Sequence, residues 1–335
     1  PKSHIVFLKT HKTASSTIMN ILYRYGERGN LTFALPVRKQ SQFYYPASFR
    51  SNFVEGFKSY GDKFHIISSH MRFNKAEVEK VMSADSFYFS ILRHPVPMME
   101  SIFNYYKHLK IFKNFSTLND YLDYNLRKNP LSDNNYGHNL LTFDFGIDNT
   151  LTEASPDVDR KAQKAIAAIE KDFHLILISE YFDESMILLR HELCWSLDDV
   201  LSFKLNTRAK TTPISPSTAE KIKKWNALDW RIYLHFNGTF WKKVDSLVGR
   251  EQMEEELAEL RQLQALLTDI CLQDGGAVHP SKIQDGSLKP YQSGGAVVQG
   301  YNLNPDLDKT IRAGCEKLIT PELQYTAHTY RKQFP

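Results

Sequence analysis

Residues 4–17 read HIVFLKTHKTASST, and the fold can be worked out from that stretch. His4-Ile5-Val6-Phe7-Leu8 is a short apolar run without polar alternation, the pattern of a strand buried on both faces. Ser15 to Gly26 then sets Ile18, Ile21, Leu22 and Tyr25 at helical spacing. Between the two, Lys9-Thr10-His11-Lys12-Thr13-Ala14 crowds cations and hydroxyls where a strand turns into a helix. The first amides of such a helix point outward and its dipole favours negative charge, so the turn reads as an anion site. The spaced glycines of a Walker A loop are missing. Ordinary Ser/Thr capping of a turn is the alternative for this segment alone.

The same alternation recurs downstream. Phe64 to Ser68 reads as a second strand, followed by a polar helix from Asn74 to Met82. Phe87 to Leu92 is a third strand, then come a turn at Pro95 and a helix through Leu109. A helix from Val158 to Lys171 leads to a fourth strand, His174 to Ile178. Apolar strands alternating with amphipathic helices predict an α/β fold with a mostly parallel central sheet flanked by helices. Past Tyr181 the pattern turns helical, over 184–191, 217–225, 229–247 and 250–272. Residues 273–305, with Gly275-Gly276, Pro290 and Gly294-Gly295, read as irregular loop around short strands. No sharp boundary divides the chain, so 1–335 is expected to be one domain. Its core is 1–205, and a mainly helical and loop portion, 206–335, packs on it.

Composition narrows the classes. With 42% apolar and 13% aromatic residues the chain can bury a sizeable core. Lys and Arg exceed Asp and Glu by only 42 to 38, with no long basic run, which argues against a nucleic-acid partner. No apolar run reaches the roughly 18 residues of a membrane span. The chain opens at Pro1 directly on a strand-like run, and removal of an upstream segment is expected. The sequons at Asn30, Asn114 and Asn237, placed in predicted loops or helix ends, favour the secretory pathway. Of the 3 cysteines, Cys194 lies in the apolar run Leu193-Cys194-Trp195 and reads as a buried thiol, which leaves Cys271 to pair with Cys315. Three reduced cysteines in a cytosolic protein are the alternative.

A second anion element follows the third strand, which ends in Arg93-His94-Pro95, with Ser101 two helical turns on. An arginine at a strand's carboxyl end and a serine in the next helix can grip one phosphate from two sides. Two such elements suit a nucleotide phosphorylated at both 3′ and 5′ positions. The second strand continues into Ser69-His70-Met71-Arg72-Phe73, which puts His70 at the same crevice. An imidazole there suits proton transfer near neutrality. His11, inside the first loop, is the rival, and His65 is assigned to packing. No clustered His/Cys spacing or Mg²⁺ carboxylate stands out, so no metal is expected.

Lys12-Thr13-Ala14-Ser15-Ser16-Thr17 resembles the 5′-phosphosulfate loop of Golgi carbohydrate sulfotransferases, and Arg93 through Ser101 resembles their 3′-phosphate element. The longer FLKTHKTASST is similar to the galactose-3-O-sulfotransferases in particular. So are Asn226-Ala227-Leu228-Asp229-Trp230, Cys271-Leu272-Gln273-Asp274-Gly275-Gly276 and Pro321-Glu322-Leu323-Gln324-Tyr325, so the resemblance spans nearly the whole chain. The stretch PYQSGGAVVQGYNL, 290–303, looks closer to the branch acting on glycoprotein glycans than to the galactosylceramide branch.

The resemblance implies a sulfotransferase, P-loop-like fold and transfer of a sulfuryl group from 3′-phosphoadenosine-5′-phosphosulfate (PAPS) to the 3-hydroxyl of a terminal β-galactose. It places Lys9, His11, Lys12, Thr13, Ala14, Ser15, Ser16, Thr17, Arg93 and Ser101 on the cofactor, and the product is adenosine 3′,5′-bisphosphate. Lys12 would stabilise the departing oxygen and His70 would act as base. Arg208, Lys210 and Thr211 would cover the nucleotide, and Arg72, Tyr105 and Tyr106 would face the acceptor. A type II Golgi anchor is implied, in agreement with the sequons, and a homodimer is left open. The alternatives are a galactosylceramide sulfotransferase, a nucleotide-dependent sugar kinase and a non-catalytic glycan-binding protein. The missing glycines argue against the kinase, and Lys12 with His70 argues against the non-catalytic reading.

Overall fold

The apolar runs around residues 4–8, 87–92 and 174–178 form the middle and one flank of the sheet. The computed structural model describes residues 1–59, 61–128 and 136–335. Its strands are β1 (Ile5–Leu8), β2 (Phe33–Ala34), β3 (Ile66–Ile67), β4 (Phe87–Leu92) and β5 (Leu175–Ile178). They run across the sheet as β2-β3-β1-β4-β5, and every pairing is parallel. Ile5 pairs with Ile66 on one side and Phe87 on the other, and Phe89 pairs with Leu175. All five strands are buried throughout, as a parallel sheet covered on both faces requires.

The helices are α1 (Ser15–Arg28), α2 (Lys75–Val78), α3 (Pro95–Tyr105), α4 (Leu118–Lys128), α5 (Leu140–Asp144) and α6 (Val158–Asp172). They continue with α7 (Phe182–Leu193), α8 (Pro216–Trp225), α9 (Ala227–Leu247), α10 (Arg250–Cys271), α11 (Lys309–Ile319) and α12 (Glu322–Gln333). After β1 the chain crosses towards β2 and β3, whereas after β4 it leaves towards β5. The topological switch therefore lies between β1 and β4, and a crevice opens beyond their carboxyl ends. That position decides where the site is.

The expected second strand shrinks to two residues and the polar helix after it to four, and α3 stops at Tyr105 instead of Leu109. Segments not expected as elements are β2, α4, α5, α11 and α12. Helices α7 and α9 pack on β5, α6 on α9, and α11 and α12 on α1. Trp225, Ile232, Phe236 and Phe240 share one core with the sheet, so the later helices complete it.

A second apolar cluster gathers Phe203, Leu272, Leu288 and Tyr301 around the disulfide between Cys271 and Cys315. The pairing is as expected, but Cys194 is exposed and not the buried thiol its apolar neighbours suggest. It caps α7 at φ 56, and this left-handed turn carries its side chain outward while Leu193 and Trp195 stay inside. Asn30 and Asn114 are exposed. Asn237 sits within α9, neither in a loop nor at a helix end, and its Nδ2 donates to the Tyr233 hydroxyl at 3.2 Å.

Candidate active site

Beyond Leu8 the chain turns through residues 9–14 into α1. Lys12 and Ala14 take left-handed backbone angles, φ 58 and 68, the kind of local backbone that forms an anion nest. Ala14 caps α1 without a side-chain acceptor, so the first-turn amides remain available to a ligand. The loop's own hydroxyls hold this shape. Thr10 Oγ1 donates to Ile91 O at 2.6 Å and pairs with Thr13 Oγ1 at 2.7 Å. Ser15 Oγ donates to Thr10 O at 2.7 Å, and Thr17 Oγ1 accepts from Leu205 N at 3.0 Å. Thr13, Ser15 and Thr17 thus shape the cradle. Ser16 reaches across it and donates to Glu322 Oε2 at 2.8 Å.

Lys12 has the most exacting environment. Its Nζ is buried without a hydrogen-bond partner among the described residues and stands 3.7 Å over the Tyr105 ring. Burial first, and then Arg208, Lys9 and Arg93, push its pKa down to about 7. Arg93, at the end of β4, donates to Lys12 O at 2.9 Å and so closes the cradle from the neighbouring strand. Arg208 is paired with Glu100 of α3, Nη1 to Oε1 at 3.0 Å, and Thr212 N donates to the same oxygen at 2.9 Å. Burial pushes the Glu100 carboxyl up, but Arg208 and the Thr212 amide outweigh it and hold the group below its ordinary range. These elements enclose a cavity of about 830 Å³ whose lining includes Lys9, His11 to Thr17, His70, Arg93, Ser101, Arg208 and Thr211. Lys210 is exposed and lies outside that lining.

Two imidazoles stand at the inner end. His11 and His70 stack with ring centroids 3.9 Å apart and planes within 8°. His70 Nδ1 lies 3.0 Å from Lys9 O and must donate to it, which leaves Nε2 as the acceptor facing Lys9 Nζ at 2.9 Å. Burial, then His11 and Lys9, hold the His70 pKa well below its ordinary value. His11 is arranged differently. Its Nδ1 lies 2.9 Å from Asp144 Oδ2, while Tyr45 Oη donates to Asp144 Oδ1 at 2.6 Å. A carboxylate on Nδ1 fixes the tautomer with the lone pair on Nε2, and that Nε2 is buried with no partner among the described residues.

Asp144 comes from α5, whose amino end is pinned by α9. Asp229 accepts from Leu141 N at 3.0 Å, Thr142 N at 2.8 Å and Thr142 Oγ1 at 2.6 Å. The expected acceptor residues fare unevenly. Arg72 turns away from the cavity, donating through Nε to Phe143 O at 3.2 Å and lying over the Phe143 ring. It caps carbonyls at the end of α5 and does not line the cavity. Tyr105 and Tyr106 both line it, but Tyr105 carries Lys12 on its face and Tyr106 packs against Tyr136. Asp144, Tyr45, Glu100 and Glu322 did not emerge from the sequence. Asp144 and Glu322 reach the site from distant segments, 133 positions from His11 and 306 from Ser16, whereas Glu100 adjoins Ser101 and shows its role only through its pairing with Arg208. An acidic residue in the apolar run 139–146 was the only local hint of Asp144.

A parallel sheet with an anion nest at its switch point, an unpartnered lysine in the nest and an arginine on the adjacent strand defines an α/β enzyme of the sulfotransferase type. The family model for galactose-3-O-sulfotransferase matches residues 1–333, and the chain belongs to that family. Galactose-3-O-sulfotransferase 2 of Sus scrofa is 45% identical over 100% of this chain and 85% of its own length. Galactosylceramide sulfotransferase of Mus musculus is 40% identical over 97% of this chain and 77% of its own, and galactose-3-O-sulfotransferase 4 of Homo sapiens is 34% identical over 100% and 84%.

Proposed function

We propose that the protein transfers the sulfuryl group of PAPS to the 3-hydroxyl of a terminal β-galactose on glycoprotein glycans, working in the Golgi lumen from an N-terminal anchor. The observation that carries the chemistry is the buried Lys12 ammonium before α1, which has no hydrogen-bond partner among the described residues. A buried cation left without a hydrogen-bond partner is costly unless an anion completes it. PAPS is the co-substrate and supplies the activated sulfuryl group. The nest amides and Ser16 hold its 5′-phosphate, Lys12 steadies the charge that grows on the departing oxygen, and Arg93 with Ser101 takes the 3′-phosphate. Arg208, locked by Glu100, adds a fixed positive charge beside them.

The geometry favours His11 as the proton acceptor over His70. An imidazole with Nδ1 held by a buried carboxylate is oriented, and its Nε2 has no partner among the described residues. His70 has the opposite situation, a depressed pKa and an Nε2 already engaged by Lys9. Reading His70 as the base has one observation behind it: its tautomer also presents Nε2, which would be released if Lys9 turned to the phosphate. The glycoprotein acceptor rests on the resemblance of residues 290–303 to the branch acting on glycoprotein glycans, and the identities run the same way, 45% to a galactose-3-O-sulfotransferase 2 against 40% to a galactosylceramide sulfotransferase. An acceptor panel with labelled PAPS tests it, comparing Galβ1-4GlcNAc, Galβ1-3GlcNAc, Galβ1-3GalNAc and galactosylceramide. The disaccharides should be preferred, and preference for the glycolipid would reassign the acceptor class.

A further inference from the structure

The mouth of the cavity is crossed by a strap, residues 290–299, that the nucleotide elements do not use. The strap is fastened on both sides. Gly294, at φ +58, lies so close to α3 that a Cβ there would clash with the Tyr105 carbonyl oxygen. Beside it, Ser293 Oγ donates to Tyr105 O at 3.2 Å and Gly295 N to Asn104 O at 3.3 Å. On the far side Ala209 N donates to Val297 O at 2.9 Å and Gln299 N to Thr207 O at 2.8 Å, which ties the strap to the loop of Arg208. The strap is thus positioned by the same elements that position the charges.

It brings Tyr291 to the cavity lining with 61% of its surface exposed. The other tyrosine rings of the lining are already in use, Tyr105 under Lys12 and Tyr106 against Tyr136. A large ring held out in water at the rim of a charged cavity has a face to offer a ligand. A galactoside carries the matching surface. Because its O4 is axial, the C–H groups of C3, C4 and C5 gather on one apolar face, and a tyrosine ring meets such a face while its hydroxyl stays wet. We propose that Tyr291 is the stacking platform for the acceptor galactoside, and so a determinant of acceptor affinity separate from the nucleotide site. This rests on the galactoside reading of the cavity.

The test is initial-rate kinetics with PAPS and a β-galactoside disaccharide on the wild type, Tyr291→Ala and Tyr291→Phe. The affinity of each for adenosine 3′,5′-bisphosphate is measured by calorimetry, and folding by thermal melts. Tyr291→Ala should raise the acceptor KM about tenfold, with kcat and bisphosphate Kd within about twofold of the wild type. Tyr291→Phe should keep the wild-type KM, since the ring face remains. An active Tyr291→Ala enzyme with unchanged acceptor KM overturns the platform and leaves the galactoside reading standing. Loss of folding, or a parallel fall in bisphosphate affinity, would make the side chain structural and also overturns it. A wild type that sulfates no galactoside removes the reading and the platform together.

Discussion

Lys12 and His11 are the residues at which burial and chemistry conflict most sharply. Unfolded, a lysine titrates near 10.5, whereas the fold holds Lys12 at about 7. Below pH 7 the protein bears the full penalty of the buried charge, and the penalty lifts as pH rises from 7 towards 10.5 because the unfolded chain then binds the extra proton. An anion in the nest reverses this and restores the proton. Binding of adenosine 3′,5′-bisphosphate should therefore take up close to one proton at pH 8, where the ligand's phosphates, with second pKa values of about 6, are already ionised. Calorimetry at pH 8 in buffers of different ionisation heat reads that uptake directly, and no uptake would mean that Lys12 is not what meets the anion. For His11 the expectation is kinetic. His11→Ala should lower kcat by about 10²–10⁴ while bisphosphate affinity stays near normal. The opposite pattern, a folded and cofactor-binding His70→Ala that is inert beside a working His11→Ala, would return the base to His70.

Helix α5 shows how elements place these residues. It spans five residues, too few to hold its own shape, and depends on Asp229 at the head of α9. Asp229→Ala would leave the buried amides of Leu141 and Thr142 unpaired, at roughly 1–3 kcal/mol each, and should lower the melting temperature and misplace Asp144. Unchanged stability and turnover in that variant would show that α5 is held by other contacts. The same element marks the limit of what a sequence shows. The runs at β1, β4 and β5 were legible because a doubly buried strand must be continuously apolar, and the nest was legible because its residues are contiguous. Strand β2 and helix α5 are too short for any periodicity, and α11 and α12 show their role only when packed on α1. The charges that arrive on such elements, Asp144 and Glu322, were out of reach for the same reason. Arg72 was misplaced because the turn after β3 sends its guanidinium to the carbonyls at the end of α5.

At the scale of the whole molecule, the sheet and the later helices share a core, and the disulfide holds a satellite cluster against it. The bridge spans 44 positions, and closing a loop of that length in the unfolded chain is worth on the order of 4 kcal/mol. Cys271→Ser should lower stability by about that much, measured by denaturant titration, whereas an unchanged midpoint would mean that the cluster stands without its bridge. The proposed grip on one nucleotide at two phosphates lies in the crevice between β1 and β4. It is tested most directly by comparing adenosine 3′,5′-bisphosphate with adenosine 5′-phosphate, by calorimetry without Mg²⁺, on the wild type and on Arg93→Ala. The wild type should prefer the bisphosphate by roughly ten- to a hundred-fold, from a charge-assisted contact of about 1.5–3 kcal/mol, and Arg93→Ala should bind both alike. A preference that survives intact in Arg93→Ala, or none in the wild type, would contradict the two-phosphate grip.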